Sequence, residues 1–321
     1  MVDIVGIGVS VWDSICLLES FPQRGAVVRA ERFVQGIGGG ITVAMAMASR
    51  LGASVALIDA LGDDAVGNQI RETLRSESVE TRWLQTIVGK TSSTASIWSE
   101  TQEAERTIVF LPGTACDQIM IPNDLSDCIK GTKLLHLNGR HLAVCKRAVE
   151  IARQHGVLVS FDGGAFRYRE ETLPLLRAAD IVIVARQYAE SHYTAMTGKS
   201  AENHTGSELV RFLHDDLDCQ IAAVTHGSRG SDFAVRGKIN REAVSGVAPA
   251  YFFQSAINVD QAVDTTGCGD TFHGAFLAGI AAGGSIQACA RLAAEVAGAN
   301  ARGIGGLFYN PPTLIQNFTS P

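Results

Sequence analysis

Residues 259–276 read Val-Asp-Gln-Ala-Val-Asp-Thr-Thr-Gly-Cys-Gly-Asp-Thr-Phe-His-Gly-Ala-Phe, and they contain the clearest pattern in the chain. β-Branched residues lead into Gly267-Cys268-Gly269, and Asp270 follows at the head of a segment rich in alanine, glycine and phenylalanine. This pattern predicts an extended segment that turns sharply into a helix. The glycines let backbone amides converge on one point, and the start of the helix adds partial positive charge.

The predicted turn combines an anion-binding backbone with one carboxylate. Converging amides stabilise negative charge on a transferred phosphoryl group, while a carboxylate beside them abstracts a proton from an attacking hydroxyl. We therefore predict that Asp270 is a general base and that the amides of Gly267, Cys268 and Gly269 bind the anion. A plainer interpretation is that Asp270 only caps the helix, because aspartate is a good N-cap. The motifs described below favour the catalytic interpretation.

The overall composition indicates a soluble enzyme and argues against two classes of partner. The chain has 321 residues, of which 46% are hydrophobic and 19% charged, with a formal net charge of −6. It has no block of like charges, which argues against binding to nucleic acid or to a membrane surface. Its seven cysteines are scattered without a Cys-x-x-Cys pair, as in reduced proteins. The N-terminus has no basic, signal-like segment, so we expect a cytoplasmic protein.

Apolar runs of strand length alternate with helical patterns over most of the chain. Short aliphatic and β-branched runs predict buried strands, and longer amphipathic runs predict helices between them. The predicted strands cover 4–9, 55–58, 134–137, 157–161, 181–184, 221–224 and parts of 233–258, and the predicted helices cover 42–51, 66–76, 142–155, 170–178, 207–214, 270–282 and 286–300. This alternation predicts an α/β fold with a doubly wound, mostly parallel sheet.

Two segments interrupt the alternation. Residues 92–111 predict a β-hairpin around a polar turn at 100–104, and the mixed pattern at about 14–35 predicts further exposed strands, including one near 27–29. We expect the two segments to form a small β-sheet lid beside the main body. The chain 1–321 is thus predicted to be a single domain that carries this lid.

Several motifs occur in the chain order found in one enzyme family. The stretch Asp264-Thr265-Thr266-Gly267-Cys268-Gly269-Asp270 resembles the Asp-Thr-x-Gly-Ala-Gly-Asp signature of the ribokinase-like (PfkB-type) carbohydrate kinases, with cysteine in place of alanine. The matches described below extend this resemblance over most of the chain. It implies an ATP-dependent sugar kinase that transfers the γ-phosphoryl group of MgATP to a hydroxyl of a small sugar.

The resemblance also implies residues that hold the sugar. Asp13 matches a carboxylate that follows the first strand and accepts hydrogen bonds from sugar hydroxyls. The glycines Gly38, Gly39 and Gly40 match a motif that lets the backbone approach the sugar closely. The family's sugar-contacting asparagine falls at Val43 here, so we expect Thr42 beside it to take over as a hydroxyl partner.

Arg140 ends the segment His136-Leu137-Asn138-Gly139-Arg140, which resembles the ketohexokinase and sulfofructose kinase branch of the family. An arginine occupies this place in that branch. Its planar guanidinium has five donors suited to a carboxylate, sulfonate, phosphate or pair of neighbouring hydroxyls. The resemblance therefore favours a ketose or an anionic sugar as the acceptor.

The nucleotide contacts are implied by two further segments. Val224–Gly230 resembles the family's nucleotide loop, in which Thr225 and the backbone of Gly227, Ser228 and Gly230 would contact the phosphates of ATP. Asn300 lies in a segment that resembles the adenine side of the site. The family's Asn-x-x-Glu motif, which helps to place Mg²⁺, is missing, so we assign no metal-placing residue. Mg²⁺ is still expected, because ATP reacts as its magnesium complex.

Two other functions stay open at this point. A nucleoside or hydroxymethyl-heterocycle kinase would share the fold, although a neutral base needs no guanidinium at position 140. A non-catalytic sensor of sugar or nucleotide is favoured by the missing Asn-x-x-Glu. We expect a small-molecule sugar and ATP as ligands, and the resemblance implies a homodimer that pairs through the lid.

Overall fold

The computed structural model describes residues 2–101, 105–165, 167–237, 248–260 and 262–312. Two parts of the sequence predictions, the turn at 102–104 and the strand pattern at 238–247, lie outside the described residues. The strands are β1 (Ile4–Ile7), β2 (Val11–Leu18), β3 (Arg32–Gly38), β4 (Val55–Gly62), β5 (Leu84–Ile87), β6 (Ser93–Glu100), β7 (Arg106–Leu111), β8 (Leu134–Leu137), β9 (Leu158–Asp162), β10 (Ile181–Ala185), β11 (Ile221–Thr225), β12 (Ser231–Val235) and β13 (Ala250–Gln254). The helices are α1 (Gly40–Arg50), α2 (Ala65–Ser76), α3 (Leu125–Ile129), α4 (Leu142–Gln154), α5 (Leu173–Leu176), α6 (Arg186–Thr197), α7 (Gly206–Leu217), α8 (Cys268–Ala281) and α9 (Ile286–Asn300).

The main sheet has the strand order β13-β12-β11-β10-β9-β8-β1-β4-β5. The strands from β11 to β5 in this order run parallel, whereas β12 and β13 pair antiparallel at one edge. The central strands are short, buried and almost entirely apolar, because a parallel sheet is covered by helices on both faces. The predicted α/β fold with a doubly wound, mostly parallel sheet is therefore confirmed.

Helices cover both faces of the main sheet and form two separate cores. Helices α1, α2, α8 and α9 pack on one face around Met45 and Phe276. Helices α3 to α7 pack on the other face around Phe161, Tyr188 and Leu209. None of the helices in the described part of the chain has the length and apolar character needed to cross a bilayer.

A smaller second sheet has the order β3-β2-β6-β7, and we call it the lid. Strands β2 and β3 fill the connection from β1 to α1, and β6 and β7 follow β5. Both connections leave the carboxyl edge of the main sheet, so the lid stands above this edge. Val11, Ile15 and Ile97 give the lid a small core of its own, which Ile304 completes.

The lid strands do not follow the sequence pattern in every detail. No strand forms at Val27–Arg29, where Val27 is 99% exposed and no sheet face lies against it. Strand β2 begins at Val11, before the predicted lid segment of about 14–35, so Asp13 follows the first strand as predicted but lies within β2. The alternation of buried and half-buried residues along Val11–Leu18 explains this strand, because it matches the period of two of a sheet covered on one face.

Several elements of the main body differ from the sequence prediction, which contained no strand at β5 and no helix at α3. Strand β4 continues beyond the predicted 55–58 through Gly62, because the strand stays buried to its end. Helix α6 was not predicted at all. Its buried residues are Tyr188, Ala189 and His192, so its inner face lacks the aliphatic side chains that mark most amphipathic helices.

Helices α1 and α8 cross at very close range. Gly274 faces the backbone of Ala44, and a methyl group at position 274 would overlap the carbonyl oxygen of Ala44. Any side chain there would push the helices apart, because a packed core cannot absorb the added volume. The close crossing brings the starts of the two helices, Gly40 and Cys268, together at the carboxyl edge of the main sheet.

Candidate active site

The strand order of the main sheet reverses between β1 and β8. In open α/β sheets, ligands bind outside the carboxyl ends of the strands at such a reversal. The chain that leaves β1 carries Asp13, the chain that leaves β8 carries Arg140, and β9 ends with Asp162. Three chemically distinct side chains therefore start from neighbouring strands at this edge.

Asp270 is the third residue of α8, and its side chain is half-buried. Among the described residues, none donates a hydrogen bond to its carboxylate. Burial raises the pKa of Asp270 and the negative charge of Asp162 raises it further, whereas the positive charges of Arg167 and His273 lower it. A carboxylate with a raised pKa and no internal donor is suited to accept a proton from a ligand.

The turn before α8 presents an open backbone surface. Gly267 has a φ of 73°, a conformation that favours glycine, and a methyl group there would overlap the backbone of Gly306. The amide of Cys268 donates to the carbonyl oxygen of Thr265 at 3.3 Å. No described atom lies within 4 Å of the place where a side chain of Gly269 would begin. The exposed side of the turn thus lies at the positive end of α8.

Asp264, the first residue of the signature, holds this turn in place through hydrogen bonds. Its buried carboxylate accepts hydrogen bonds from the backbone and the hydroxyl of Thr266, at 3.0 and 2.7 Å. It also accepts from the amide of Gly305 at 2.9 Å and from the Ser99 hydroxyl of the lid at 3.0 Å. The carboxylate therefore ties the signature, the segment after α9 and the lid into one unit.

Asp13 is a buried carboxylate without a donor among the described residues. It lies so close to β3 that a methyl group on Gly38 would overlap its carboxylate. Burial raises the pKa of Asp13 to about 7, and the negative charges of Asp270 and Asp264 contribute to the rise. A buried carboxylate left without partners is costly, and a ligand with hydroxyl groups would supply the missing donors.

The glycines before α1 allow close backbone contacts. Gly39 has a φ of 92°, and a methyl group on it would overlap the carbonyl oxygen of Val9. A methyl group on Gly40 would lie 2.9 Å from Oδ1 of Asp270, so this glycine borders the candidate base. Thr42 is fully buried, and its hydroxyl lies 3.1 Å from the hydroxyl of Ser10. The contact of Thr42 with a sugar stays a prediction.

Arg140 is exposed at the carboxyl end of β8, beneath the lid. Its guanidinium carbon lies 6.0 Å from the ring centre of Phe110 in β7. Partial burial lowers the pKa of Arg140, and the positive charges of Arg169 and Arg167 lower it further. The side chain is nevertheless exposed to solvent over part of its surface. None of the described carboxylates forms an ion pair with Arg140. The guanidinium is therefore available to a ligand.

The loop that carries Arg140 is anchored by two residues that the sequence analysis did not single out. Nε2 of His141 donates a 2.7 Å hydrogen bond to the buried carboxylate of Asp59, which lies within β4. The same carboxylate accepts from the amide of Ser10 at 2.7 Å. Asp59 therefore links the loops that follow β1 and β8, on which Asp13 and Arg140 depend.

The predicted nucleotide loop forms a tight turn after β11. Gly227 and Gly230 have φ values of 60° and 114°, and Ser228 between them is exposed. The Thr225 hydroxyl lies 3.5 Å from the carbonyl oxygen of Val184 in the neighbouring strand. These residues lie together at the carboxyl end of the main sheet, and their contacts with ATP stay a prediction.

Asn300 at the end of α9 is fully buried and bonded to backbone. Its amide nitrogen lies 3.3 Å from the carbonyl oxygens of Thr266 and Gly305, and its oxygen accepts from the amide of Tyr309 at 3.0 Å. The side chain thus holds the segment after α9 against the signature. The predicted adenine contact of Asn300 therefore rests on the motif alone.

Three charged or titratable residues near Asp270 were missed in the sequence. A methyl group on Gly40 would lie 3.2 Å from Oδ2 of Asp162 and 3.5 Å from Nη1 of Arg167, beside Asp270. His273 follows Asp270 by one turn of α8 and lies 3.3 Å from Oδ1 of Asp162. The sequence signal that could have identified Asp162 is its position at the end of a buried strand, directly before two glycines.

The described residues contain no group of three or more His, Cys, Asp or Glu side chains that could hold a metal ion. Glu190, which follows the strand where Asn-x-x-Glu was sought, pairs with Arg186 at 2.6 Å. Mg²⁺ usually keeps several waters and binds substrate phosphates with one or two carboxylates. Its ligands here would therefore come mainly from ATP.

The sheet order and the separate lid define the class by its architecture, the ribokinase-like α/β fold. The pattern of the pfkB family carbohydrate kinase matches residues 1–312, and the chain belongs to this family. It is therefore a kinase of the group that phosphorylates sugars or nucleosides with ATP. This membership does not support the alternative of a non-catalytic sensor.

Individual relatives differ in their acceptors. The nucleoside kinase of Methanothermobacter thermautotrophicus is 23% identical over 297 residues, which cover 92% of this chain and 88% of the relative. Fructokinase-1 of Oryza sativa subsp. japonica is 29% identical over 280 residues, covering 81% and 79%. The solved ribokinase of Giardia lamblia has a TM-score of 0.82 at 20% identity, covers 98% of both chains and shows the fold alone. The narrower resemblance to ketohexokinase and sulfofructose kinase is not confirmed.

The buried Asp13 leads to a prediction about stability. Its folded-state pKa of about 7 lies above the value of about 4 in an unfolded chain, so ionisation destabilises the folded state as the pH rises from 4 to 7. Asp13→Asn removes this penalty. We expect the variant to be more stable than the wild type at pH 8, by roughly 2–4 kcal/mol, and to gain less at pH 5. Thermal unfolding at both pH values measures the difference.

Asp64→Asn is the matched control for this measurement. Burial alone would raise the pKa of Asp64, but hydrogen bonds from Ser92 and Gly67 lower it. Its ionised form therefore stabilises the fold above about pH 4, and that contribution is lost as the pH falls. Asp64→Asn should lower the melting temperature at pH 8. An Asp13→Asn protein that melts below the wild type at pH 8 would contradict the placement of Asp13.

Proposed function

We propose that the chain transfers the γ-phosphoryl group of MgATP to a hydroxyl of a small sugar, with Asp270 as the general base. The observation that carries this proposal is the pair of carboxylates, Asp13 and Asp270, for which the described residues offer no hydrogen-bond donor. The acceptor supplies these donors through its hydroxyl groups. Asp13 holds the ring, and Asp270 takes the proton of the reacting hydroxyl.

The proposed reaction moves one proton and one phosphoryl group. The O–H bond of the acceptor breaks as its proton passes to Asp270, and the oxygen forms a bond to the γ-phosphorus of ATP. The bond between this phosphorus and the bridging oxygen breaks, and ADP leaves. In this proposal the amides of Gly267 and Gly269 bind the phosphoryl group, whereas the predicted amide of Cys268 already donates to the carbonyl oxygen of Thr265. The positive end of α8 stabilises the charge of the phosphoryl group. The Thr225–Gly230 loop holds the other phosphates.

The lid belongs to this proposal as the part that covers the site. Arg106 of β7 donates to the hydroxyl of Thr265 in the signature at 2.7 Å, and Phe110 of the same strand lies over Arg140. Because side chains alternate along a strand, Ile108 shares the face of β7 that is turned to the site. We propose that segments 14–35 and 92–111 close over the acceptor and exclude water, within one domain spanning 1–321.

The test of the base is Asp270→Asn, which keeps the size of the side chain and removes its basicity. We expect the rate of phosphoryl transfer to fall by about 10²–10⁴-fold, because general-base catalysis contributes about this much. The melting temperature and the affinity for ATP should stay close to those of the wild type. A coupled ADP-release assay measures the rate.

The control for this experiment is Asp63→Asn, which removes an exposed carboxylate that accepts a hydrogen bond from the amide of Gly89. Its rate should match that of the wild type. If Asp270→Asn retains wild-type activity with every acceptor that the wild type uses, Asp270 is not the base and the proposed mechanism is wrong.

We propose further that the acceptor is a ketose or an anionic sugar bound by Arg140, as in the ketohexokinase and sulfofructose kinase branch. Burial lowers the pKa of Arg140, and the two neighbouring guanidinium groups of Arg169 and Arg167 lower it further. Glu171 pairs with Arg169 at 2.7 Å, whereas Arg140 has no such carboxylate among the described residues. A negative group on the acceptor would relieve the repulsion between these cations.

The test compares acceptors of different charge in wild-type protein and in Arg140→Gln. The panel consists of fructose, ribose, sugar phosphates, sulfosugars and nucleosides, with ADP release as the readout. We expect an anionic acceptor to give the highest kcat/KM, and Arg140→Gln to reduce it by about 10–100-fold, as for loss of one charge-assisted hydrogen bond. Neutral acceptors should change little.

Arg82→Gln is the control, because Arg82 forms an exposed ion pair with Asp124. It should leave all rates unchanged. Equal losses for neutral and anionic acceptors in Arg140→Gln would overturn the role of Arg140 in charge recognition. A preference of the wild type for nucleosides would favour the alternative acceptor class, which the nucleoside kinase relative represents.

The edge of the lid supports the proposed homodimer. Strand β7 is the outer strand of the lid sheet, and Val109 and Leu111 are 58% and 66% exposed. By alternation they lie on the face turned away from the site. An exposed, apolar edge strand pairs readily with another strand, and the lid of a second copy offers the same edge.

Sedimentation velocity tests this pairing. We expect the wild type to sediment as a dimer and Val109→Lys to sediment as a monomer, because a buried lysine without a partner opposes association. Val88→Lys, which replaces an exposed valine outside the lid strands, should remain dimeric. A wild-type protein that sediments as a monomer would contradict the proposal.

A further inference from the structure

Three charged side chains from three parts of the chain meet at Gly40. A methyl group on this glycine would lie 2.9 Å from Oδ1 of Asp270, 3.2 Å from Oδ2 of Asp162 and 3.5 Å from Nη1 of Arg167. The glycine thus leaves room for two carboxylates and a guanidinium on one side of the helix start. Asp162 therefore lies next to the candidate base, and the mechanism described above does not use it.

The two oxygens of Asp162 have different surroundings. Oδ1 accepts a hydrogen bond from the amide of Gly164 at 2.7 Å and lies 3.3 Å from Nε2 of His273. Oδ2 is the oxygen turned toward Gly40 and Asp270. The carboxylate is 3% exposed, so it cannot rotate into solvent. Asp162 is thus fixed on one side, and its charge faces Asp270 on the other.

His273 couples the two carboxylates through the helix. It lies on α8 one turn after Asp270, so its contact with Asp162 also sets the rotation of α8 against β9. Behind it packs the ring of His136, with a distance of 5.3 Å between ring centres. Burial lowers the pKa of His136 to about 3, and so this second ring stays neutral and adds no charge.

We propose that Asp162, held by His273, is a positioning residue that turns the carboxylate of Asp270 toward the acceptor and keeps it basic. This inference rests on the proposed function, because it assigns a partner to the base of that mechanism. Asp162 touches no reacting atom in this proposal. Its fixed negative charge favours the protonated form of Asp270, which is the form that proton transfer from the acceptor produces.

The charges around Asp270 are consistent with this role. Burial and the charge of Asp162 on β9 raise the pKa of Asp270, while Arg167 after β9, His273 on α8 and Arg106 on β7 lower it. Asp13 on β2 adds a further negative charge, since the two carboxylates repel each other. For Asp162, burial alone would raise the pKa, but the charge and hydrogen bond of His273 lower it. Asp162 therefore stays ionised while Asp270 takes the proton.

The experiment follows the titration of Asp270 directly. Protein labelled with ¹³C at the aspartate side-chain carboxyl carbons is titrated without sugar or nucleotide, and the Asp270 resonance is assigned by its loss in Asp270→Asn. The variants are Asp162→Asn, which keeps an oxygen acceptor but removes the negative charge, and His273→Asn, which removes the imidazole that contacts Asp162 and lowers the pKa of Asp270. Asp64→Asn is the control, because its carboxylate is held by similar donors and does not contribute to the pKa of Asp270.

The two variants should move the titration in opposite directions. Loss of the Asp162 charge should lower the pKa of Asp270, and loss of the His273 imidazole should raise it, because these two groups shift that pKa in opposite directions. The acid side of the kcat profile should move the same way with the best acceptor of the panel. Asp64→Asn should change neither. General damage to the site would not give shifts of opposite sign.

Unchanged titration in Asp162→Asn, or shifts of the same sign in both variants, would overturn the inference. If Asp162→Asn does not fold, His273→Asn decides alone, and an unchanged or lowered pKa of Asp270 would overturn it. The proposed function fails separately, through full activity of Asp270→Asn. The titrations contain no substrate, so they do not depend on that result.

Discussion

The crossing of α1 and α8 at Gly274 is the constraint on which the carboxyl edge of the molecule depends. Because no side chain separates the two backbones, both helices begin at the same place, and Gly40 borders Asp270. The same closeness crowds Asp13, Asp162 and Asp270 into one region. Burial and mutual repulsion raise the pKa of Asp13 and Asp270. The two cores beneath the edge must therefore stabilise an arrangement of charges that by itself favours unfolding.

The sequence was sufficient for the parts of the fold that are determined locally. The bounds of β8 and α9 were predicted without error, and the predicted hairpin ends at Leu111, where β7 ends. The turn at Gly267 could be predicted because glycine spacing and a following carboxylate are local features. The lid was predicted as two interruptions of the βα alternation, and a separate small sheet is what the structure contains.

The remaining features depend on contacts between distant parts of the chain. Asp162 and His273 meet only because β9 and α8 pack at one edge, and no local spacing reports such a meeting. The strand that contains Asp13 was not predicted to begin before about residue 14, because its parallel partner β6 follows much later in the sequence. The motif at Asn300 suggested a ligand contact, whereas its amide is occupied by backbone groups. Motif matching identifies residues, but it does not report which of their atoms remain available.

The contact between Gly267 and Gly306 has a consequence for the evolution of this enzyme. A side chain at position 267 would overlap main-chain atoms of a residue that already has no side chain, in a conformation with a φ of 73°. A compensating mutation at 306 therefore has nothing left to remove. Position 267 therefore requires glycine for as long as the turn and the segment at Gly306 keep these backbone positions. Laboratory libraries that diversify the turn at residues 267–269 can therefore leave Gly267 unchanged.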